Sequence, residues 1–359
     1  MPRKDLHFTG LTGLRGIAAI IVVISHIDQF HYLFNYESIG FDKFGFAEDA
    51  VTLFFVLSGF LITYLLLMEK RITGKIDIKS FYMRRILRIW PTYYLALFVS
   101  LIMIFMKIIS PPEDFGVSVL LYVLFFANLA FALAIPIRTI TPLWSVGVEE
   151  QFYAVWPWIV KHSADLKKSL WIIILVYFIT KVFFWHYQQN GGEYQLIRLT
   201  KIDSMAIGGL FALTYFKRNI RLLNLFYSKY CQLLAIAIIV SPLFLKSVVY
   251  NLESELKSLA YAIVILNVAT NKESLIKTEF KILNFFGRIS YGIYVYHMII
   301  IFLISEILKQ SPGFGIPDNY YFVLILVISG TVLVSYVSYE FWEVPFLKMK
   351  SKFKSISKG

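Results

Sequence analysis

The sequence predicts an all-α membrane protein, a polytopic bundle of about ten transmembrane helices with both termini in the cytoplasm. Three features of the composition support this fold class: 58% of the 359 residues are hydrophobic, only 16% are charged, and the net charge is +12. Soluble domains carry about 25% charged and 45–50% apolar residues. A soluble enzyme is therefore excluded, and so is a disordered chain, because 18% of the residues are aromatic. A nucleic-acid-binding domain would be as basic but not as apolar.

Apolar runs supply the candidate transmembrane helices, since about 20 apolar residues cross the hydrocarbon layer. The first run lacks a small-residue cleavage site, so we do not expect it to be a cleaved signal peptide. Eleven runs are found: 11–33, 47–68, 89–109, 117–135, 144–160, 170–187, 204–216, 231–250, 259–270, 289–308 and 321–342.

Basic residues orient these runs, because loops that carry Lys and Arg stay in the cytoplasm. Both chain ends are basic, which requires an even number of crossings, and the segment 69–88 alone holds seven cations. Arg138 and the lysines of 161–168 flank one run, so both cannot be cytoplasmic if every run spans. Because Trp144–Val160 contains two carboxylates and 117–135 contains no charge, we expect Trp144–Val160 to be the re-entrant or buried helix.

The resulting ten-crossing topology places 27 of the 35 cations on the cytoplasmic side. The first outer loop, 28–49, instead holds five carboxylates and one lysine. We therefore expect one integral membrane domain, 1–347, followed by a basic cytoplasmic tail, 348–359. The single cysteine, Cys231, excludes an internal disulfide framework and a cysteine-rich metal site.

Arg15 and His26 are ionisable residues inside the first apolar run, where charges are costly and suggest function. Eleven residues of helix leave them roughly 20° apart around the axis and about 16 Å apart along it. They would therefore line one face at two depths. The alternative is that Arg15 extends to the lipid headgroups and that His26 is a hydrogen-bonded core histidine.

Arg85 and Arg88 lie three residues apart on one face of the helix that enters the membrane before Pro91. A planar guanidinium can hold a phosphate through two hydrogen bonds, and this end of the helix would face the cytoplasm. The alternative is a basic anchor that only follows the positive-inside rule.

Glu149 and Glu150 are adjacent carboxylates inside an apolar run. On a helix they point about 100° apart, so at most one of them would face His26. The alternative is a carboxylate at a helix terminus, which fits only Glu149 easily. Asp203 and His297 also lie in apolar runs, but both fit an interfacial position as well.

Common catalytic motifs are absent from the sequence: it has no Gly-x-Ser-x-Gly, no His-Glu-x-x-His and no Walker-type loop. Its six histidines have no metal-ligand spacing, and we expect no metal. A histidine base, arginines for an anion and buried carboxylates suit acyl transfer to a hydroxyl without a serine nucleophile.

Six segments, in order along nearly the whole chain, resemble the acyltransferase-3 family of integral membrane O-acyltransferases. A valine at position 146 replaces the commoner leucine of one motif, a change that should hardly matter. We expect no esterase-like domain of the kind that some members append. The segments are Gly13–Ala18 with Ser25-His26, Phe54–Ile62, Arg85–Arg88 with Pro91, Trp144–Tyr153 with Pro157, Ser290–His297, and Glu343–Pro345.

The resemblance implies ten transmembrane helices and transfer of an acyl group, commonly acetyl from cytoplasmic acetyl-CoA, to a carbohydrate hydroxyl. Acceptors in the family are mostly bacterial surface glycans. We therefore expect a multi-pass protein of the bacterial inner membrane whose partners are acyl-CoA, a glycan or glycolipid acceptor and membrane lipids, without nucleic acid.

The roles expected on this basis begin with His26 as the general base, since a neutral imidazole suits proton abstraction near neutral pH. Arg85 and Arg88 would hold the CoA phosphates, and Arg15 would contact the cofactor or the developing oxyanion. Glu149 or Glu150 would fix the histidine tautomer or bind the sugar. The expected substrate-binding residues are Ser58, Asp203, Tyr291 and His297.

Three alternatives remain open at this point. The acyl group could pass through a covalent acyl-histidine. The protein could belong to an unrelated membrane O-acyltransferase family that also uses a buried histidine. It could also be a transporter or flippase for a sugar-containing substrate, because buried Arg, His and Glu suit proton coupling.

Overall fold

A computed structural model describes residues 8–187, 191–243, 253–310 and 319–353. Within these residues the chain forms sixteen α-helices and no β-strand, which confirms the predicted all-α class. The terminal cations Arg3, Lys4, Lys354 and Lys358, on which the predicted orientation partly depends, lie outside the described residues.

The helices vary from six to 28 residues in length. In chain order they are α1 Thr9–Gln29, α2 Phe46–Thr73, α3 Ile78–Phe105, α4 Phe115–Val123, α5 Ala127–Ala132, α6 Leu143–His162, α7 Leu166–Tyr187, α8 Gly192–Thr200, α9 Ile202–Phe216, α10 Ile220–Tyr227, α11 Lys229–Val240, α12 Glu253–Thr270, α13 Lys281–Arg288, α14 Ser290–Lys309, α15 Tyr320–Ser338 and α16 Val344–Met349. A π-helical turn, Tyr339–Glu343, joins α15 to α16, and a 3-10 turn, Lys350–Phe353, follows α16.

Six helical stretches of the described residues are long and apolar enough to cross a membrane: Gly10–Gln29, Phe46–Thr73, Ile78–Phe105, Leu166–Tyr187, Ser290–Lys309 and Tyr320–Phe353. The pair Ile220–Tyr227 and Lys229–Leu243, bent by 60°, raises the number to seven if it counts as one span. The structure therefore confirms a multi-pass bundle, whereas ten crossings remain a prediction.

Helix α2 forms the centre of the bundle, and its closest neighbour is α9. Glycines bring the two backbones together: a Cβ at Gly59 would lie 1.9 Å from the carbonyl oxygen of Met205, and one at Gly208 would lie 2.0 Å from that of Val56. Small residues allow such contact between membrane helices, where dispersion rather than the hydrophobic effect holds the helices together.

Glycines also orient α1. A Cβ at Gly13 would lie 2.1 Å from the carbonyl oxygen of Thr278, and one at Gly16 would lie 2.8 Å from the amide nitrogen of Gly287. This face of α1 therefore packs against α13 and the chain before it. Because successive residues are about 100° apart on a helix, Arg15 and His26 lie roughly 160° and 140° around the axis from Gly13, on another side of α1.

Helix α6 runs parallel to α2 through the same depth of the bundle. Its twenty residues are about 30 Å long, enough to cross the hydrocarbon layer. Contacts occur in the same order along both helices: Phe55 with Trp144, Ser58 with Glu149, Thr63 with Trp156, and Lys70 with the carbonyl oxygen of Lys161.

The run 117–135 is not one helix but the two short helices α4 and α5, of nine and six residues, separated at Phe125, whose φ is +61°. They are about 14 and 9 Å long, too short to cross singly. Neither 117–135 nor Trp144–Val160 is among the six spans above, so our expectation that Trp144–Val160 does not cross stays a prediction, although the length of α6 and its course beside α2 favour a crossing. Its carboxylates had argued against spanning, but in the folded chain both have hydrogen-bond donors inside the bundle.

Ion pairs join the ends of neighbouring helices. Beside the start of α2, Lys201 Nζ lies 2.9 Å from Glu48 and Lys257 Nζ lies 2.8 Å from Asp49. Beside the end of α2, Arg84 lies 3.1 Å from Glu69. The starts of α9 and α12 therefore share one end of the bundle with the start of α2, and the start of α3 lies at the other.

We predict that Gly59→Ala lowers the thermal unfolding midpoint of the purified protein in detergent, because the new methyl group collides with the backbone of α9. Overpacking of this kind costs roughly 1–3 kcal/mol. Gly116→Ala is the matched control, since no atom lies within 4 Å of a Cβ at that helical position. Equal midpoints for the two variants would contradict the close approach of α2 and α9.

Candidate active site

Two histidines form the centre of the candidate site. His26, in the last turn of α1, places Nδ1 2.8 Å from Nε2 of His297 in α14, and the planes of the two rings differ by 6°. His297 is fully buried, whereas His26 is half-buried. His297 is thus an interior residue rather than an interfacial one, and it lies beside the residue predicted to be the base.

The backbone determines which nitrogen carries each proton. Nδ1 of His297 lies 3.1 Å from the carbonyl oxygen of Ile293, which can only accept a hydrogen bond, so Nδ1 is the protonated nitrogen of a neutral His297. Nε2 of His297 must then accept from Nδ1–H of His26. This leaves Nε2 of His26 without a proton and therefore able to accept one.

Glu149 is held by two hydroxyl groups. Ser58 Oγ donates to one carboxylate oxygen at 2.9 Å, and Tyr153 OH donates to the other at 2.8 Å. The predicted site residues Ser58 and Glu149 are therefore in direct contact. Tyr153, which the sequence did not single out, is on the next turn of α6.

Glu150 points to a different partner, the indole N–H of Trp90, which donates to Oε2 at 2.9 Å. Among the described residues, neither Glu149 nor Glu150 hydrogen-bonds to His26. The expectation that one of them orients the histidine is not met, because His297 occupies the ring nitrogen to which a carboxylate would bind.

The three predicted arginines gather on the α3 side of the bundle. Arg85 lies over the rings of Phe81 and Tyr153, 5.8 Å from each centroid. Arg15 is within electrostatic range of Arg85, Arg88 and Glu149. In the described part of the chain Arg15, Arg85 and Arg88 form no direct ion pair, although carboxylates lie within electrostatic range of each of them.

Tyr291 is at the start of α14, where its hydroxyl donates to the carbonyl oxygen of Ile89 at 2.9 Å. Trp342 Nε1 donates in the same way to the carbonyl oxygen of Pro91 at 3.0 Å. These two side chains therefore attach α14 and the π-helical turn to the turn of α3 that follows Arg88.

Asp203 is not among these residues. It is 1% exposed at the start of α9, and its nearest charges are Lys181 and Glu255, which pair with each other. Its position follows from the ion pairs above, because the start of α9 lies at the end of the bundle away from the arginines. The structure provides no contact between Asp203 and the histidine pair.

Two charged residues near the arginines were not selected from the sequence. Glu343 is 6% exposed in the π-helical turn and has Arg88 as its nearest cation. Lys350, in the turn after α16, lies within electrostatic range of Arg84, Arg85 and Arg88. Glu343 could have been selected from the sequence, because it belongs to the last of the six family-like segments. Lys350 could not, because nothing in the sequence separates it from the other lysines of the basic tail.

The site residues share a partial exposure of their side chains. They sit inside the bundle and are nevertheless half-exposed, while their apolar neighbours, such as Ala19 and Val22, are fully buried. The half-exposed set is Arg15, His26, Arg85, Arg88, Glu149, Glu150 and Tyr291. Among the described residues no group of three His, Cys, Asp or Glu side chains could hold a metal ion.

The fold and the site together define an apolar, multi-pass helical bundle with a hydrogen-bonded histidine pair and a separate set of arginines. The family described as the acyltransferase domain, acyltransferase-3, matches residues 8–340, and the chain belongs to this family.

Curated relatives carry related names. The chain is 26% identical over 380 residues to O-acetyltransferase OatA of Staphylococcus aureus strain NCTC 8325. The aligned region covers 95% of this chain and 57% of that protein. It is 27% identical over 371 residues to the putative peptidoglycan O-acetyltransferase YrhL of Bacillus subtilis strain 168. Here the aligned region covers 94% of this chain and 55% of that protein. The chain thus spans little more than half the length of these relatives. No solved structure matches it.

We predict that a cysteine at Arg15 reacts with a small charged thiol reagent, because this position is partly exposed. The experiment uses Arg15→Cys in a Cys231→Ser background, with the mass of the labelled protein as the readout. Ala19→Cys, one turn further along α1 and fully buried, should remain unlabelled. Equal labelling at both positions would contradict an exposure limited to one face of α1.

Proposed function

We propose that this chain transfers an acetyl group from cytoplasmic acetyl-CoA to a hydroxyl of a cell-surface glycan, with His26 as the general base. The observation that carries this proposal is the hydrogen bond from His26 to His297, which leaves Nε2 of His26 free to accept a proton. Membership of the acyltransferase-3 family supports the reaction class.

The donor enters from the cytoplasmic side. Arg85 and Arg88 bind its phosphates, since guanidinium groups bind phosphate oxygens in pairs. Arg15, on the opposite wall, completes the anion site. The spacing of about 16 Å between Arg15 and His26 along α1 leaves room for the extended pantetheine arm to bring the thioester to the histidine.

Acyl transfer then proceeds in one balanced sequence. The acceptor oxygen attacks the thioester carbonyl carbon, a C–O bond forms, and the hydroxyl proton passes to Nε2 of His26. The C–S bond breaks, and the departing thiolate takes that proton from His26 as CoA-SH. Hydrogen bonding to His297 stabilises the transient imidazolium, as the partner of a catalytic histidine does in general.

The carboxylates belong to the acceptor side in this proposal. Oε1 of Glu150 has no hydrogen-bond partner among the described residues, although Oε2 is held by Trp90. A buried carboxylate oxygen of this kind suits a sugar hydroxyl as its donor. Glu149, which already has two donors, has the supporting role of keeping Ser58 and Tyr153 in place.

The acceptor is a glycan on the outer side of the bacterial cytoplasmic membrane. His26 lies in the last turn of α1, near the end of the bundle that carries Glu48 and Lys201. The name of the Bacillus relative specifies peptidoglycan, and peptidoglycan is therefore the first acceptor to test. A transporter of sugars is disfavoured, because the family match describes an acyltransferase.

Ten crossings fit the positions of the charged ends. The proposed spans are α1, α2, α3, α6, α7, α9, α11, α12, α14 and α15, with both chain ends in the cytoplasm. With α6 rather than 117–135 as the proposed crossing segment, Arg138 lies on the outer side, and 26 of the 35 cations remain inside. The ion pairs Glu48–Lys201 and Glu69–Arg84 then join residues that share a side.

We predict that His26→Ala lowers acetyl transfer from acetyl-CoA to a peptidoglycan fragment by at least about 100-fold, the usual contribution of a general base. His297→Ala should lower it by about 10–100-fold, because a hydrogen bond to a charged group such as the transient imidazolium is worth about 1.5–3 kcal/mol. The measurement is mass spectrometry of the acceptor with purified protein in detergent.

The affinity for CoA should stay unchanged in both histidine variants, because the phosphates bind elsewhere. His162→Gln, at the exposed end of α6, is the matched control and should keep normal turnover. Wild-type turnover in a folded His26→Ala protein would refute the assignment of the base.

We predict that a cysteine at Arg138 is labelled from outside the cell. In a Cys231→Ser background, an impermeant maleimide should label Lys43→Cys and Arg138→Cys in intact cells. Lys75→Cys and Lys167→Cys should be labelled only after the membrane is opened. Protection of Arg138→Cys in intact cells would contradict the assignment of α6 as the crossing helix.

A further inference from the structure

Lys350 is the observation from which the inference starts. It lies beyond residue 340, where the family match ends, in the 3-10 turn Lys350–Phe353 that packs against α3. Arg84 Nη1 donates to the carbonyl oxygen of Phe353 at 2.8 Å, so this turn is attached to the arginine-bearing part of α3. The beginning of the expected basic tail, 348–353, is therefore part of the bundle.

Lys350 differs from the lysines on either side of it. Lys348 and Lys352 are exposed, as expected for cations that only interact with headgroups or water. Lys350 is half-buried, and the charges nearest to it are all cationic: Arg85, Arg88, Arg84 and Arg15. A basic anchor of the positive-inside kind has no reason to turn towards other cations.

Positive charge is in excess at this place. Glu69 pairs with Arg84, but among the described residues Arg15, Arg85, Arg88 and Lys350 have no ion-pair partner. The carboxylates within electrostatic range of these four cations are three, Glu149, Glu150 and Glu343. The remaining repulsion among the cations is relieved when a polyanion binds. CoA carries roughly four negative charges near neutral pH, two on its diphosphate and about two on its 3′-phosphate.

We propose that Lys350 binds the 3′-phosphate of the acyl-CoA donor. The inference rests on the proposed function, because it assigns a further residue to the same donor site. It extends that site to a segment outside the family match and identifies the donor as a nucleotide thioester that bears a 3′-phosphate.

The order of the donor along the site decides which phosphate Lys350 meets. The thioester lies at His26, the pantetheine arm leads back to the diphosphate, and the adenosine with its 3′-phosphate lies furthest from the reacting carbon. Arg88 is one turn deeper along α3 than Arg84, and Lys350 belongs to the turn bound beside Arg84. Of the four cations without an ion-pair partner, Lys350 is thus the one nearest the cytoplasm. It therefore meets the phosphate that lies furthest from the thioester.

The test compares CoA with 3′-dephospho-CoA, which lacks only this phosphate. Binding of each is measured by titration calorimetry for the full-length purified protein, for Lys350→Gln and for the matched control Lys348→Gln. We expect Lys350→Gln to weaken CoA binding about tenfold, the usual worth of a charge-assisted hydrogen bond. The affinity of the Lys350→Gln variant for dephospho-CoA should equal that of the unmodified protein. Lys348→Gln should change the affinity for neither CoA nor dephospho-CoA.

Arg88→Ala separates this inference from the proposed function. If the unmodified protein does not bind CoA, or if Arg88→Ala binds CoA normally, the donor site itself is wrong. If Arg88→Ala weakens both ligands while Lys350→Gln weakens neither, or weakens both equally, only the assignment of Lys350 to the 3′-phosphate is overturned. Retained wild-type stability of Lys350→Gln in thermal unfolding excludes a general loss of folding as the cause.

Discussion

The hydrogen bond between His26 and His297 is the interaction on which the rest of the site depends. It joins helix α1 to helix α14. The two histidines are 271 positions apart in the chain, and their Nδ1 and Nε2 atoms lie 2.8 Å apart. Such a contact requires α1 to present one face to α14 while its glycines pack against α13. The direction of the bond, set by the carbonyl of Ile293, leaves one free nitrogen inside a protein otherwise full of apolar side chains.

A second constraint is the cost of charge inside a membrane bundle. Ionisable groups there persist where they find partners or line a polar space. The structure uses both solutions: Glu149 and Glu150 have donors from α2, α3 and α6, whereas the arginines keep a partial exposure and form no direct ion pair among the described residues. His26 and Arg15 occupy different depths along α1, so one ligand can contact both only if it is long and anionic at one end.

Much of this was accessible from the sequence because it depends on local properties. Hydropathy and charge identified the helices, and the 100° helical step placed Arg15 and His26 on one face. The broken run 117–135 was not accessible, since hydropathy does not detect a residue such as Phe125 in the left-handed region. The orienting partner of His26 was also missed, because a carboxylate is the commoner partner and the distant His297 has no sequence signal linking it to α1.

The sequence by itself determined the fold class, the membrane environment, the arginine face of α3 and the histidine of α1. Each follows from composition or from spacing within one helix, where the geometry is fixed. Only the tertiary structure decided that α6 runs beside α2, that His297 rather than a carboxylate binds His26, that Asp203 stands apart, and that Lys350 joins the arginines. These depend on which helices meet, and small residues such as Gly59 and Gly208 determine that through backbone contacts that hydropathy does not encode.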